Sequence, residues 1–224
     1  MIARSIPAAT HGRYLVEAPA APGPWPLLVG FHGYAESAET ALERLRAIPG
    51  RDGWLLVSVQ GLHRFYRGRS QDVVAGWMTR QDRELAIADN LAYTSAVLDA
   101  VSREWKTDGR VVFSGFSQGV AMAFRAAVAR SRAAPASAAD AAVAVMALGG
   151  DVPPELDSTA LAGISAVLIG RGTRDASYGT ETFDADVHRL GVAGLQVDAV
   201  ALDAGHEWTD AFSRAAGAFL SRRS

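Results

Sequence analysis

The sequence predicts an α/β protein: a mostly parallel central sheet with helices on both faces. Three observations carry that reading. Short apolar runs recur along the chain, and most are continuous, as in strands covered on both faces. Segments with helical periodicity separate them, the alternation that produces parallel sheets. At 224 residues, the chain is long enough to bury a core without staples and fits one α/β domain over 1–224 with no large cap.

Taken in order, strands are expected at 14–16, 27–31, 55–59, 111–113, 143–148, 167–169 and 195–202. The last alternates in part, as an edge strand does. Ala41, Leu42, Leu45 and Ile48 make one helical face. The longest helix is expected over 82–105, with Ile87, Leu91, Leu98, Val101 and Trp105 on one stripe, and Thr79 with Asp82 resembles a capping box at its start. Further helices are expected over 120–129, 180–190 and 209–220. Three stretches read as loops. Residues 19–26 hold four prolines, and 133–142 is Ala/Ser/Pro-rich and reads as a solvated connection. Residues 61–80 carry Tyr66, Trp77 and Met78 among arginines and glycines. Long ordered loops in compact domains are often functional, so 61–80 is a candidate lid.

Composition removes several function classes. With no cysteine, the chain has no disulfide, no thiolate metal site and no cysteine nucleophile. A net charge of −2 and a pI of about 6.2 give no general basic surface for nucleic acid. No apolar stretch approaches the ~18 residues of a spanning helix. Arg4 is not followed by the apolar core of a signal peptide, so a cytoplasmic location is the default expectation. No His/Asp/Glu group shows a ligand spacing, so no metal is expected.

The chemistry is carried first by Gly115-Phe116-Ser117-Gln118-Gly119. This G-x-S-x-G follows the apolar run 111–113 and precedes a helical pattern. In that setting a sharp strand–turn–helix lifts a serine hydroxyl clear of the sheet, and the two glycines relieve crowding. Ser117 is thus a candidate nucleophile. An activated serine needs a base and the base an orienting acid. His206 lies between the last strand and the last helix. Asp175 lies in the turn after the strand at 167–169. The order Ser117, Asp175, His206 is the chain order of α/β-hydrolases. Asp151 and Asp203 are rival acids, ranked second and third. An oxyanion hole needs two donors. The N–H of Gln118 is one, and the N–H of Tyr34, after the strand at 27–31, is the other. His32 also competes as a base but is read as an element shaping that loop.

On Phe31-His32-Gly33-Tyr34, the Gly115–Gly119 segment, Leu148-Gly149-Gly150, Gly170-Arg171-Gly172-Thr173-Arg174-Asp175 and Gly205-His206-Glu207, the chain resembles the phospholipase/carboxylesterase family of α/β-hydrolases, which includes acyl-protein thioesterases. The resemblance spans nearly the whole chain. It implies a compact α/β-hydrolase fold acting on carboxylic esters or thioesters without a cofactor. It also implies Ser117, Asp175 and His206 as the triad, with the Tyr34 and Gln118 N–H groups as the hole. The chain departs from the family at Val120, Gly149, Asp151, Arg171 and 176–178; Asp151 and Arg171 are expected to bear on pocket polarity. Tyr66, Trp77 and Met78 either line an acyl pocket or form a cluster that pins the loop.

The expected function is hydrolysis of carboxylic esters, thioesters and lysophospholipids included, through an acyl-enzyme. The alternatives are a non-catalytic ligand-binding protein of this fold, and an acyltransferase or peptidase using the same triad. The expected partner is a small-molecule ester. Apolar residues around 61–80 would serve a substrate or a homodimer equally.

Overall fold

The structure is a computed structural model that describes residues 1–133 and 143–223. The expected solvated connection at 133–142 falls outside the described residues beyond its first position.

Seven strands form one sheet: β1 (Tyr14–Glu17), β2 (Trp25–Phe31), β3 (Leu55–Val59), β6 (Thr107–Phe116), β7 (Val143–Leu148), β8 (Ala166–Gly172) and β9 (Gln196–Leu202), in the order β1-β3-β2-β6-β7-β8-β9. Every pair is parallel except β1 with β3. The inner strands are buried residue after residue, the reason their sequences are continuous apolar runs. At the edge, β9 alternates in exposure.

Helices cover both faces. On one, α1 (Ala38–Arg46) and α6 (Asp210–Ser221) pack Leu42, Leu45, Phe212 and Phe219 against Leu28, Val112, Met146 and Leu168. On the other, α2 (Arg83–Glu104), α3 (Gln118–Ala133) and α5 (Thr180–Val192), with the short α4 (Ser158–Leu161), pack against Val29, Val57, Phe113 and Val145. The pleat sends alternate side chains of each strand to the two faces. Ser37, Asp157 and Thr209 cap α1, α4 and α6, each side chain accepting a backbone N–H from the first turn. Among the described residues, no helix is long and apolar enough to cross a membrane.

Two expectations fail here. The capping box before α2 is absent: Asp82 is itself the N-cap, at φ 51°, with no side-chain cap bond, and Thr79 Oγ1 donates instead to the Gln81 carbonyl. The stretch 61–80 contains an antiparallel hairpin, β4 (His63–Tyr66) with β5 (Val73–Gly76). Its β-forming residues Phe65, Tyr66, Val73 and Val74 pair around a turn holding Gly68 at φ 49°. Each strand is only four residues long and neither alternates in exposure, so a sequence reading has no strand pattern to find.

Register sets where chemistry gathers. Phe31 is opposite both Val59 and Gly115; Phe116 is opposite Leu148, Leu148 opposite Gly170 and Gly172 opposite Leu202. The carboxyl ends of six parallel strands therefore lie together. The loops carrying Tyr34, Ser117, Gly149, Asp175 and His206 all leave that edge, where open α/β sheets collect their sites.

Candidate active site

Ser117 stands between β6 and α3 at φ 52°, a left-handed conformation for a residue with a side chain. Its turn is possible because two glycines let backbones touch. A β-carbon at 115 would overlap the Gly119 carbonyl, and one at 119 would overlap the Phe31 carbonyl. The Ser117 N–H donates to the Leu148 carbonyl at 2.9 Å, tying the turn to β7.

The hydroxyl of Ser117 is 2.9 Å from His206 Nε2, and His206 Nδ1 is 2.7 Å from Asp175 Oδ2. With the ring proton on Nδ1, the imidazole donates to Asp175 and accepts from Ser117. Asp175 is buried, and its other oxygen, Oδ1, accepts from the Ser177 and Tyr178 N–H groups at 2.8 and 3.1 Å. Burial pushes this carboxyl up; the bonds from His206, Ser177 and Tyr178 outweigh it and hold Asp175 below the usual carboxylate range. The carboxylate stays charged in an apolar setting because three donors face it.

The rival acids lie elsewhere. Asp203 is exposed and pairs with Arg174. Asp151 is exposed on the loop after β7 and makes no hydrogen bond to His206. His32 is buried, with Nδ1 donating to the Gly33 carbonyl at 2.7 Å and Nε2 accepting from the Gly61 N–H at 2.9 Å. Both its nitrogens are occupied by backbone groups and neither bonds Ser117, so it shapes the loop as expected.

Beside the serine, the Tyr34 and Gln118 N–H groups find no acceptor among the described residues. Gln118 opens α3, where the first N–H groups lack intrahelical partners.

Other expected site residues take different places. Trp77 is wholly buried in the core, its ring 4.9 Å from His32 and 5.4 Å from Phe31, its indole N–H on the His32 carbonyl at 2.8 Å. It offers no surface to an acyl chain, and Met78 is buried too. Arg171 is also buried: its guanidinium bonds the Tyr178 carbonyl, the Thr180 hydroxyl and the Thr173 carbonyl, so it braces the Asp175 loop from within instead of adding polarity to a pocket.

The sequence reading missed two arrangements. The Gln118 side chain accepts from the Trp77 N–H at 2.8 Å and donates to the Met78 carbonyl at 3.0 Å, bolting the hairpin end to the nucleophile turn. Behind Asp175, the Tyr178 hydroxyl donates to buried Asp186 at 2.9 Å, and Asp186 also accepts from the Val152 N–H at 3.0 Å and Arg189 at 3.1 Å. The first has no local sequence signal, since its partners lie about 40 positions apart; in the second, Arg189 is only three residues from Asp186, but nothing in that spacing marks the carboxylate as buried.

No protein-family model matches the chain, and no curated protein sequence matches it. Solved structures do. A carboxylesterase from Mesorhizobium loti superposes with a TM-score of 0.70 at 21% identity, over 94% of either chain. The Bacillus cereus carboxylesterase gives 0.70 at 16% identity, over 95% of either chain. Zea mays acyl-protein thioesterase 2 gives 0.69 at 16% identity, over 95% of this chain and 99% of its own. The likeness is in the path of nearly the whole chain, and on it the protein has the α/β-hydrolase fold.

Proposed function

We propose that the protein is a serine hydrolase that cleaves carboxylic esters, with thioesters and lysophospholipids in the same reach. The observation that carries this reading is the unbroken hydrogen-bonded line from Ser117 Oγ through His206 to Asp175. His206 takes the hydroxyl proton at Nε2 as Ser117 attacks the carbonyl carbon. Asp175 holds the tautomer and stabilises the imidazolium. The free N–H groups of Tyr34 and Gln118 receive the oxyanion, an interaction worth about 10²–10³ in rate per donor in such sites. His206 then returns the proton to the leaving oxygen or sulfur, leaving an acyl-serine. Water, deprotonated by the same imidazole, releases the acid. Residues 1–224 act as one catalytic domain, and the exposed side of the 63–76 hairpin borders the substrate in place of Trp77. The esterase and thioesterase names of the structural neighbours support the substrate class.

The test is turnover of p-nitrophenyl esters from acetate to palmitate, with Ser117→Ala alongside. The expected result is hydrolysis that vanishes in the variant while the fold persists. A Ser117→Ala protein with undiminished turnover, or a wild type that cleaves no ester and resists a fluorophosphonate, overturns the reading. Added alcohol that diverts the acyl group from water would identify an acyltransferase instead.

A further inference from the structure

Three consecutive N–H groups follow His32, and the structure treats them unequally. The Gly33 N–H donates to Glu36 Oε2 at 2.6 Å, and the Ala35 N–H donates to the Ala75 carbonyl at 3.0 Å. Only the middle one, Tyr34, has no acceptor among the described residues. Pinning both neighbours fixes the plane in which the free N–H points. Ala35 itself sits at φ 57°, a conformation that disfavours a side chain and persists only when its surroundings impose it. The loop thus does not adopt its shape from local preference alone.

Glu36 is held in turn. Arg44 of α1 grips it with two bonds of 2.6 Å, one nitrogen to each oxygen, and both side chains are mostly buried. A fork-to-fork pair of this kind fixes direction as well as charge. The same guanidinium lies flat against the nucleophile turn: its central carbon is 4.2 Å from the centre of the Phe116 ring. The other neighbour of that ring is His206, centroid to centroid 5.0 Å. One ion pair therefore reaches the oxyanion loop at one end and the imidazole, through Phe116, at the other. Burial pushes the Glu36 carboxyl up, but Arg44 and the Gly33 N–H hold it below its ordinary value, so Glu36 is a carboxylate at neutral pH.

We propose that Glu36 and Arg44 are positioning residues: Glu36 aims the Tyr34 N–H by holding Gly33, and Arg44 locks Glu36 while bracing Phe116 against His206. The proposal rests on the hydrolase reading above. Neither residue touches the reacting atoms. Their contribution is to geometry that matters when charge develops on the carbonyl oxygen, so kcat should fall while KM holds.

The experiment compares steady-state hydrolysis of p-nitrophenyl acetate, and the thermal midpoint, across wild type, Glu36→Ala, Glu36→Gln and Arg44→Lys. Losing the aim of one oxyanion donor should lower kcat roughly 10–100-fold in Glu36→Ala, less than the roughly 10²–10³ for outright loss of such a donor, with KM nearly unchanged. Glu36→Gln keeps an oxygen for the Gly33 N–H and should recover most of that loss. Arg44→Lys keeps the charge but loses the fork and the flat face on Phe116, so kcat should drop several-fold, again at constant KM. If Glu36→Ala fails to fold, Arg44→Lys carries the test. A folded Glu36→Ala or Arg44→Lys with wild-type kcat overturns the proposal, as does a Glu36→Gln no better than Glu36→Ala. A wild type without Ser117-dependent turnover overturns the hydrolase reading and this inference together; a wild type that turns over beside unaffected variants overturns this inference alone.

Discussion

The Ser117 turn and the hairpin at 63–76 meet at the same sheet edge, yet they are held in place by different means. The turn is shaped by backbone against backbone: Gly115 lies on Gly119, and Gly119 lies on the Phe31 carbonyl. The hairpin is held by side chains from distant elements. Gln118 grips the Trp77 N–H and the Met78 carbonyl, Asn90 of α2 donates to the Trp77 carbonyl at 2.9 Å, and the Trp77 indole reaches the His32 carbonyl. A constraint of the first kind leaves a local mark, because only glycine meets it. One of the second kind leaves none, because Gln, Asn and Trp are common residues whose partners lie 13 to 45 positions away.

The most severe break should come from Gly119→Ala. The added carbon would strike main-chain atoms of β2, which cannot rotate aside as a side-chain end can. A cost above about 4 kcal/mol is expected, a large part of the whole stability of a typical domain. Soluble yield and the urea midpoint measure it. A Gly119→Ala protein that folds with a near-native midpoint would show that the turn is less rigid than the close approach demands.

Trp77→Ala comes next. Removing a fully buried indole should cost about 3–5 kcal/mol, read as a lower urea midpoint, while the preference among ester chain lengths stays as in wild type. A shifted preference with little loss of stability would return Trp77 to the acyl pocket and undo the contrast between the two regions.

The same contrast explains what the sequence made legible. The strands at 55–59 and 143–148 match to the residue, because a strand buried on both faces must be apolar throughout. Ser117, Asp175 and His206 were legible because each follows a recognisable strand, and parallel register carries strand ends to one edge. The hairpin was read as a loop because its strands are only four residues long, and β4 is exposed throughout. Arg171 was read as a pocket group, yet it is spent bracing a loop. The Tyr178–Asp186–Arg189 cluster went unseen because nothing in α5 announces a buried carboxylate, two of whose donors, Tyr178 and the Val152 N–H, come from outside the helix. The pairing of Glu36 with Gly33 is local, but the sequence does not say which way a glutamate will turn.

His32 sits between the two regions, bonding the Gly33 carbonyl on one side and the Gly61 N–H at the approach to the hairpin on the other. Burial holds its imidazole below the ordinary histidine value, with Arg44 adding to that and the Gly33 carbonyl and Glu36 opposing it. The unfolded chain takes up a proton below a pH of about 6.5, whereas the folded one resists. Stability should therefore be full above that value and decline as pH falls from there toward the folded value. Urea midpoints at pH 7.5 and 5.5 should differ in that direction, and His32→Asn should flatten the difference while lowering both. An unchanged slope in the variant would assign the pH dependence elsewhere.

The smallest effect on stability is expected at Tyr66, and it sharpens the comparison most. Tyr66 is 65% exposed at the end of β4 and pairs across the hairpin with exposed Val73. Tyr66→Ala should change stability by no more than about 0.5 kcal/mol, as for most surface positions. The hairpin nonetheless reaches the loop after β2, where the Phe65 ring lies 5.5 Å from that of Tyr34. If its exposed side borders the acyl chain, Tyr66→Ala should lower kcat/KM for the palmitate ester while leaving acetate unchanged. Equal kcat/KM across the series would reduce the hairpin to a scaffold for Trp77. A selective loss would separate its two sides by function, one packing the core and the other meeting substrate.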